Sequence, residues 1–254
     1  MITVENVKKS FGDQQILKGI STTFEKGKTN LIIGQSGSGK SVMLKCLLGL
    51  FQPEEGRIYY EDKAIQDMND DQQRDLREEI GMLFQGGALF DSMTIEENVM
   101  FPLRMFTKQS KAEMLERVND VLDRVNLKGE NKKFPAEISG GMQKRVSIAR
   151  AIVNRPKYLF CDEPNSGLDP KTATVIDKLI QEITHEFNIT TVVVTHDMNS
   201  VMEIGEHINF LKNGLLVWKG NNDDIFKTDN KDVTDFVYSS DLFRKIREVQ
   251  LKSK

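Results

Sequence analysis

The chain has 254 residues, which fits one large domain or one domain with an inserted subdomain. Its 39% hydrophobic and 29% charged residues are typical of a globular protein, and its net charge of −3 argues against a broad nucleic-acid-binding face. Its uncharged runs are shorter than the roughly 18 apolar residues of a membrane-spanning helix, and charges interrupt the start before any signal-peptide core. We therefore expect a protein that stays in a cytoplasm or reaches a membrane only through a partner.

The first 60 residues predict short strands around one helix. Alternating or apolar residues indicate strands at residues 2–4, 16–24, Thr29–Ile33 and 57–60. A glycine-rich break follows Ile33 and leads into a helical pattern over residues 41–50. The sequence thus places a glycine-rich loop between a buried strand and a helix.

The middle of the chain predicts mainly helices. Residues 61–79 are charge-rich and indicate surface. Thr94, followed three residues later by Glu97, is a helix-start signature. Apolar residues on one face predict helices over residues 111–128 and 139–154.

The last third of the chain predicts a buried sheet. Residues 158–161 and 190–194 are near-continuous apolar strands, and residues 173–187 between them form a predicted helix. Such strands suit a parallel sheet that is covered by helices on both faces. Residues 207–211 and 215–218 then predict a hairpin through an Asn-Gly turn. Together these elements predict an α/β fold.

A phosphate-binding loop is the most specific single motif in the chain. Residues 34–41 fit the pattern G-x-x-x-x-G-K-[ST] between a predicted strand and a predicted helix. Glycines let successive backbone N–H groups curl around phosphate oxygens, Lys40 can bridge the β- and γ-phosphates, and Ser41 can ligate Mg²⁺. The predicted nucleotide-binding residues of this loop are Gly34, Gln35, Ser36, Gly37, Ser38, Gly39, Lys40 and Ser41.

Two acids end the predicted strand at residues 158–161. Acids at the carboxyl end of a buried parallel strand lie where open α/β sheets bind ligands. Asp162 can hold Mg²⁺, and Glu163 can polarise a water for attack on the γ-phosphorus. Because neighbouring strand residues point to opposite faces, this division of roles requires the backbone to turn at Pro164.

Four further segments carry polar residues whose meaning depends on their order. Their candidate residues are Gln85, Ser139, Gly140, Gly141, Asp169 and His196. Singly, each segment fits a structural role, as a loop amide, a helix cap, a turn or a core-edge histidine. In this order, with the phosphate loop and the acid pair, they resemble the nucleotide-binding subunit of ABC transporters from about residue 2 to residue 218.

The resemblance implies a role for each candidate. Phe11 looks like the aromatic that stacks on adenine, and Gln85 like the residue that touches Mg²⁺ and senses a transmembrane partner. Residues 139–141 look like the signature segment, whose helix N-terminus faces the γ-phosphate held by another subunit. Asp169 looks like a dimer contact and His196 like the switch histidine at the γ-phosphate. The implied catalytic residues are Lys40, Gln85, Glu163 and His196, and the implied Mg²⁺ ligands are Ser41, Gln85 and Asp162.

The resemblance also implies the organisation of the domain. We expect a RecA-like P-loop NTPase core with an N-terminal antiparallel β subdomain and an α-helical subdomain inserted over about residues 86–154. The ATPase domain would span residues 1–231. Residues 232–254 would form a C-terminal helical extension, which packs either on its own domain or on another subunit.

Two local features are similar to the ATPase of Mla-type lipid transporters. They are residues 82–99, which include the run from Phe84 to Phe90, and Met142, which replaces the usual glutamine of the signature. The apolar run 88–90 would either dock a partner's coupling helix or pack as core.

This similarity implies a motor subunit that forms a head-to-tail homodimer around two ATP and drives a permease. With an MCE-domain protein, the complex would move phospholipid between bacterial membranes, and the ATPase would sit on the cytoplasmic face of the inner membrane. Two alternatives stay open: the ATPase of a small-solute importer, such as one for amino acids, and a non-transport ATPase coupled to division or cell-wall proteins.

Overall fold

The computed structural model describes residues 1–238, which form two β-sheets flanked by helices. The strands are β1 (Ile2–Phe11), β2 (Gln14–Phe24), β3 (Thr29–Ile33), β4 (Glu55–Tyr60), β5 (Lys63–Ala64), β6 (Ile80–Leu83), β7 (Tyr158–Asp162), β8 (Thr190–Thr195), β9 (His207–Lys212) and β10 (Leu215–Gly220). The α-helices are α1 (Lys40–Leu47), α2 (Asp70–Glu78), α3 (Ile95–Phe106), α4 (Lys111–Arg124), α5 (Gly140–Ile152), α6 (Pro170–Glu186), α7 (Met198–Ile204) and α8 (Lys231–Val237).

The larger sheet has the strand order β10-β9-β3-β8-β7-β6. Its strands are parallel apart from β10, which pairs antiparallel with β9. Every residue of β3 and β8 is buried, as expected for parallel strands covered on both faces. The predicted strand Thr29–Ile33, the parallel sheet and the hairpin are confirmed. Because β3, β7 and β8 are parallel neighbours, the loops after their carboxyl ends meet at one edge of the sheet.

The smaller sheet is antiparallel, with the order β2-β1-β4-β5. Its inward residues, such as Leu17 and Phe24, pack with Met43 and Leu47 of α1 and with Phe160 of the parallel sheet. This core fixes α1, and therefore the start of that helix, between the two sheets.

Three helices, α3, α4 and α5, lie between β6 and β7. The helix-start signature at Thr94 is confirmed: the Thr94 Oγ1 accepts from the Glu97 N–H at 3.3 Å, and the Glu97 carboxylate accepts from the Thr94 N–H at 2.9 Å. Apolar residues of all three helices join one core with the other face of the parallel sheet. The core thereby couples α5 to the strands that end in the predicted acids.

The sequence analysis did not predict helices α2 and α7. Helix α2 lies in the charge-rich stretch and buries only Leu76, so hydrophobic periodicity gave no signal. Its start carries a capping box between Asn69 and Gln72, which is a readable signal. Helix α7 begins after Asp197, whose side chain caps it. In the part of the chain that the structure describes, no helix has both the length and the apolar character to cross a bilayer.

The C-terminal extension begins with α8, which packs on its own domain. Val233, Phe236 and Val237 are buried in the core, and the Phe236 ring lies 5.1 Å from that of Phe210. Residues 239–254 lie outside the described part of the chain, so the predicted contact of the tail with another subunit stays a prediction, as does a domain boundary at residue 231.

Candidate active site

The loop between β3 and α1 is shaped by glycines that no other residue could replace. Gly34 has φ +149°, and a Cβ there would lie 2.2 Å from the Leu211 carbonyl oxygen and 2.8 Å from the Ser38 Oγ. Gly39 has φ +105°, and its Cβ would lie 2.9 Å from Leu17 Cδ2. Both positions combine left-handed backbone with contact too close for a side chain. The loop therefore holds one curled conformation.

Lys40 closes this loop from within. Its side chain is buried, and its Nζ donates to the carbonyl oxygens of Gly34 at 2.8 Å and Gln35 at 3.1 Å. Burial lowers the pKa of the Lys40 ammonium, while Glu163 and Asp162 act to raise it. The Ser38 Oγ in the same loop is buried and has no hydrogen-bond partner within residues 1–238. A cation held only by carbonyls and an orphaned hydroxyl suit a bound phosphate group.

The two acids stand beside the loop at the end of β7. Burial raises the pKa of Asp162, and the neighbouring Glu163 carboxylate raises it further. The backbone turns through Pro164 as the sequence predicted, with the Ser166 N–H donating to the Glu163 carbonyl at 3.1 Å, and it already departs from the strand at Glu163, which has φ +46°. The Glu163 N–H donates to the Val194 carbonyl at 2.9 Å, so β8 holds the turn in place. Such a strained backbone position is typical of functional sites.

His196 and Gln85 complete the group. The His196 Nδ1 lies 2.8 Å from Glu163 Oε1, and the His196 side chain is 68% exposed toward the cleft and solvent. The Gln85 Nε2 lies 3.5 Å from the Ser166 Oγ in the loop after the acids.

These residues line one cleft of about 790 Å³. The predicted residues in its wall are Gln35, Ser36, Gly37, Gly39, Lys40, Ser41, Gln85, Asp162, Glu163 and His196. Four others were not predicted: Gln14, Ile16, Val42 and Phe236. The first two come from the antiparallel sheet and the last from α8, so no local motif marks them.

Other predicted residues stand outside this wall. Phe11 ends β1 with its side chain exposed and its ring edge-on to Phe51, at a centroid distance of 5.2 Å. The Ser139 Oγ caps α5 by accepting from the Met142 N–H at 3.3 Å. Asp169 caps α6 by accepting from backbone N–H groups. The roles implied for these residues therefore need a partner molecule or the nucleotide itself.

The signature segment packs against the start of α6. A Cβ at Gly141 would lie 2.7 Å from Thr172 Cγ2, whereas one at Gly140 would lie 3.9 Å from Leu168 Cδ2. Ser139 and Gly140 are exposed. The N-terminus of α5 thus presents an open, positively polarised end that no group of the same cleft fills.

The donor set fits Mg²⁺ bound together with phosphate. Ser41, Gln85 and Asp162 supply a hydroxyl, an amide and a carboxylate to one cleft, and Mg²⁺ prefers oxygen ligands and shares them with phosphates and water. Within residues 1–238, no group of three or more His, Cys, Asp or Glu side chains could hold a metal alone. The set thus suits an ion shared with a bound nucleotide rather than an all-protein cage.

Residues 17–166, more than half of the chain, match the family model for ABC transporters. The chain belongs to the ABC transporter family. The ABC ATPase fold expected from the sequence is confirmed, and the chain is an ATPase of this family.

Curated relatives of this ABC family member cover most of its length. It is 39% identical over 231 residues to the methionine import ATP-binding protein MetN of Clostridioides difficile, with 91% of this chain and 72% of that protein covered. It is 39% identical over 236 residues to the probable ribonucleotide transport ATP-binding protein mkl of Mycobacterium tuberculosis, with 93% of this chain and 66% of that protein covered. These names do not support the Mla-type subfamily predicted from residues 84–90 and Met142.

Solved ABC structures share the fold. The dimeric structure of MJ0796, a bacterial ABC transporter cassette, superposes with a TM-score of 0.79 at 35% identity and covers 87% of this chain and 99% of its own. A second dimeric structure of MJ0796 holds ADP and Pi after hydrolysis. The cbiO1 protein of Clostridium perfringens, part of the ABC transporter complex cbiONQ, has a TM-score of 0.84 at 30% identity and covers 100% of this chain and 98% of its own.

Proposed function

We propose that the chain is the ATP-hydrolysing subunit of a membrane transporter, acting as a head-to-tail dimer with a second copy of itself. The observation that carries this proposal is the division of the site. One cleft is lined by the phosphate loop, the acids, Gln85 and His196, while the signature segment of the same chain does not line it. A second copy would supply the open end of its α5 to the γ-phosphate, and Asp169 would lie at the contact.

Within one cleft, each side chain has a distinct task. The loop amides and the Lys40 ammonium bind the phosphate oxygens, and Phe11, which lies outside the cleft wall, stacks on the adenine of the bound nucleotide. Ser41, Gln85 and Asp162 would hold Mg²⁺, which would supply neutralisation of the charge on the phosphate oxygens.

Proton transfer would involve Glu163, which follows β7, and His196, which follows β8. Glu163 accepts the proton of the attacking water, and its carboxylate lines the same cleft as Asp162 and Lys40. The 2.8 Å contact from His196 orients that carboxylate, and the His196 imidazole would lie beside the γ-phosphate of a bound ATP.

A permease would dock beside Gln85. An apolar groove of about 370 Å³ lies there, and its wall includes Phe84 and Phe90, which are 45% and 40% exposed. The Phe90 ring lies 4.9 Å from that of Phe101 of α3, and Leu89 packs against the core, so core packing accounts for part of the run 88–90 while the exposed part of Phe90 would contact the permease. Exposed aromatic side chains in a groove are typical anchors for a partner helix. The chain would thus sit on the cytoplasmic face of a bacterial inner membrane through that permease.

The cargo we propose is a small polar solute taken up by an importer. The relatives named for methionine import and ribonucleotide transport support this class of cargo. Phospholipid transport with an MCE-domain protein is the second candidate, and the specific features that favour it are Met142 and the exposed pair Phe84 and Phe90.

The deciding experiment is affinity purification of the tagged chain from solubilised membranes of its native host, followed by mass spectrometry of proteins and lipids. A permease with a solute-binding protein would support the importer. A permease with an MCE-domain protein and co-purifying phospholipid would replace it with lipid transport. Division or cell-wall proteins without a permease would refute the transport proposal. A Phe84→Ser and Phe90→Ser double variant is the matched control, which should lose the permease and keep ATP binding.

A further inference from the structure

Helix α5 carries a stripe of donors that faces the loop of Gln85. Lys144, Ser147 and Arg150 are spaced by three residues each and therefore share one face of the helix. All three are buried. The Ser147 Oγ donates to the Gly87 carbonyl at 3.1 Å. The loop therefore rests on the same helix whose first turn is the signature segment.

The two cations of this stripe bind the rest of the loop. The Lys144 Nζ donates to the main-chain carbonyl of Gln85. The Arg150 guanidinium donates to the carbonyls of Ala88 and Gly87, at 2.7 Å each. Three successive turns of α5 thus hold three carbonyls in a four-residue stretch. We call Lys144, Ser147 and Arg150, with these carbonyls, the α5 clamp.

Burying the two cations of the α5 clamp costs free energy, which argues against an incidental arrangement. Lys144 and Arg150 are 6% and 8% exposed, and burial lowers the pKa of both. The backbone meets them by adopting left-handed conformations, with φ +75° at Gly87 and +47° at Ala88. Left-handed backbone at a non-glycine residue persists only where surrounding contacts enforce it.

We propose that Lys144 and Arg150 are positioning residues that make Gln85 and the signature segment one mechanical body. Ser139 begins the helix five residues before Lys144, about 7.5 Å along the axis. When a docked partner displaces the loop of Gln85, the signature segment therefore moves with it. In the proposed dimer, the signature segment contacts the ATP that is bound by the other copy. This inference rests on the proposed function, because it assigns the route by which a permease would reach the site between two copies.

Lys144→Met tests the clamp, since it keeps an unbranched side chain one atom shorter than lysine and removes the donor. Ser147→Ala is a milder second variant that removes a hydroxyl and leaves both cations. Arg145→Met is the matched control: Arg145 is the next residue on α5, and its guanidinium reaches the Asn126 carbonyl at 3.4 Å, in a different loop. All variants are purified with the transporter complex, and their thermal midpoints are compared first.

Two readouts separate positioning from a merely structural role. Hydrogen exchange of the peptide spanning residues 84–90 should become about tenfold faster in Lys144→Met and faster to a smaller degree in Ser147→Ala, without change in the control. The kcat for ATP should fall about tenfold in Lys144→Met while KM stays within about twofold, because the nucleotide-holding loop is untouched.

Unchanged exchange and unchanged kcat in Lys144→Met would overturn the clamp while leaving the proposed ATPase function intact. An equal loss in Arg145→Met would also overturn it, because the effect would then belong to α5 in general. A complex whose turnover survives Glu163→Gln would instead refute the catalytic assignment on which the inference rests, so the two failures are distinguishable.

Discussion

Asp177 on α6 predicts an unusual dependence of stability on pH. Its side chain is 2% exposed, and its Oδ1 has no hydrogen-bond partner among the described residues. Burial raises its pKa from 3.8 to about 6, hydrogen bonds from Ser200 and Asn165 oppose the rise, and the charges of Asp197 and Glu203 add to it. The folded state therefore resists ionisation of this carboxyl.

The sign and size of the effect follow from linkage. Because the pKa is higher in the folded state, the contribution to stability is fully present below the unfolded pKa of 3.8 and is lost as the pH rises through about 6. A difference of about two pKa units corresponds to about 3 kcal/mol at neutral pH, which is an upper value. Asp177→Asn keeps the shape of the side chain and removes the charge. At pH 8 it should raise the free energy of unfolding by about 1–3 kcal/mol and the thermal midpoint by about 2–10 °C.

The assay is thermal unfolding of both proteins without nucleotide from pH 4 to pH 8, followed by circular dichroism. The advantage of Asp177→Asn should shrink steadily as the pH falls from 7 to 4. Asp123 is an exposed acid on α4 whose carboxylate pairs with Lys128 at 3.5 Å, and Asp123→Asn is the control that should follow the wild type. Parallel curves for Asp177→Asn and wild type, or a less stable variant at pH 8, would refute the reasoning.

Three further outcomes follow from the site. Glu163→Gln should bind ATP normally and lose turnover by at least about a hundredfold, as measured by phosphate release; wild-type turnover would remove Glu163 as the base. Gly141→Ala should lower the thermal midpoint, because its Cβ would lie 2.7 Å from Thr172 Cγ2, whereas Gly140→Ala should leave it unchanged; equal midpoints would contradict the close packing. Chelation of Mg²⁺ by EDTA should abolish phosphate release, and turnover that persists in EDTA would exclude a metal requirement.

Local spacing predicted most of the phosphate machinery. The loop at residues 34–41 was predictable because its glycines and Lys40 are consecutive in the chain, and the acids because they end an apolar strand. The turn at Pro164 was predicted, but the left-handed φ of Glu163 was not, because the pairing of Glu163 with Val194 of the neighbouring strand imposes it. A contact of that kind is set by tertiary structure and leaves no local sequence pattern.

Residues that act through long-range packing could not be predicted in the same way. Phe236 reaches the cleft wall from the far end of the chain, and the partners of Lys144 and Arg150 lie about sixty residues earlier. The sequence pattern placed Phe236, Lys144 and Arg150 in predicted helices and gave no sign of these contacts. The cargo could not be predicted from these motifs, because the side chains that bind ATP do not touch it. The similarity over residues 84–90 indicated a lipid-transporter subfamily, whereas the relatives' names support import of small solutes.

The phosphate loop holds its curled conformation through contacts within the domain, and this affects how ATP binds. The ammonium of Lys40 already sits within hydrogen-bond distance of the carbonyls of Gly34 and Gln35, and the curl of the loop is fixed by packing against Leu17 and Leu211. Nucleotide binding then exchanges one set of oxygen partners for another instead of folding a disordered segment. The loop thus loses its conformational entropy when the domain folds and not when ATP binds. ATP binding can therefore be fast, because little further ordering of the loop is needed. Larger rearrangements occur when two copies of the chain associate.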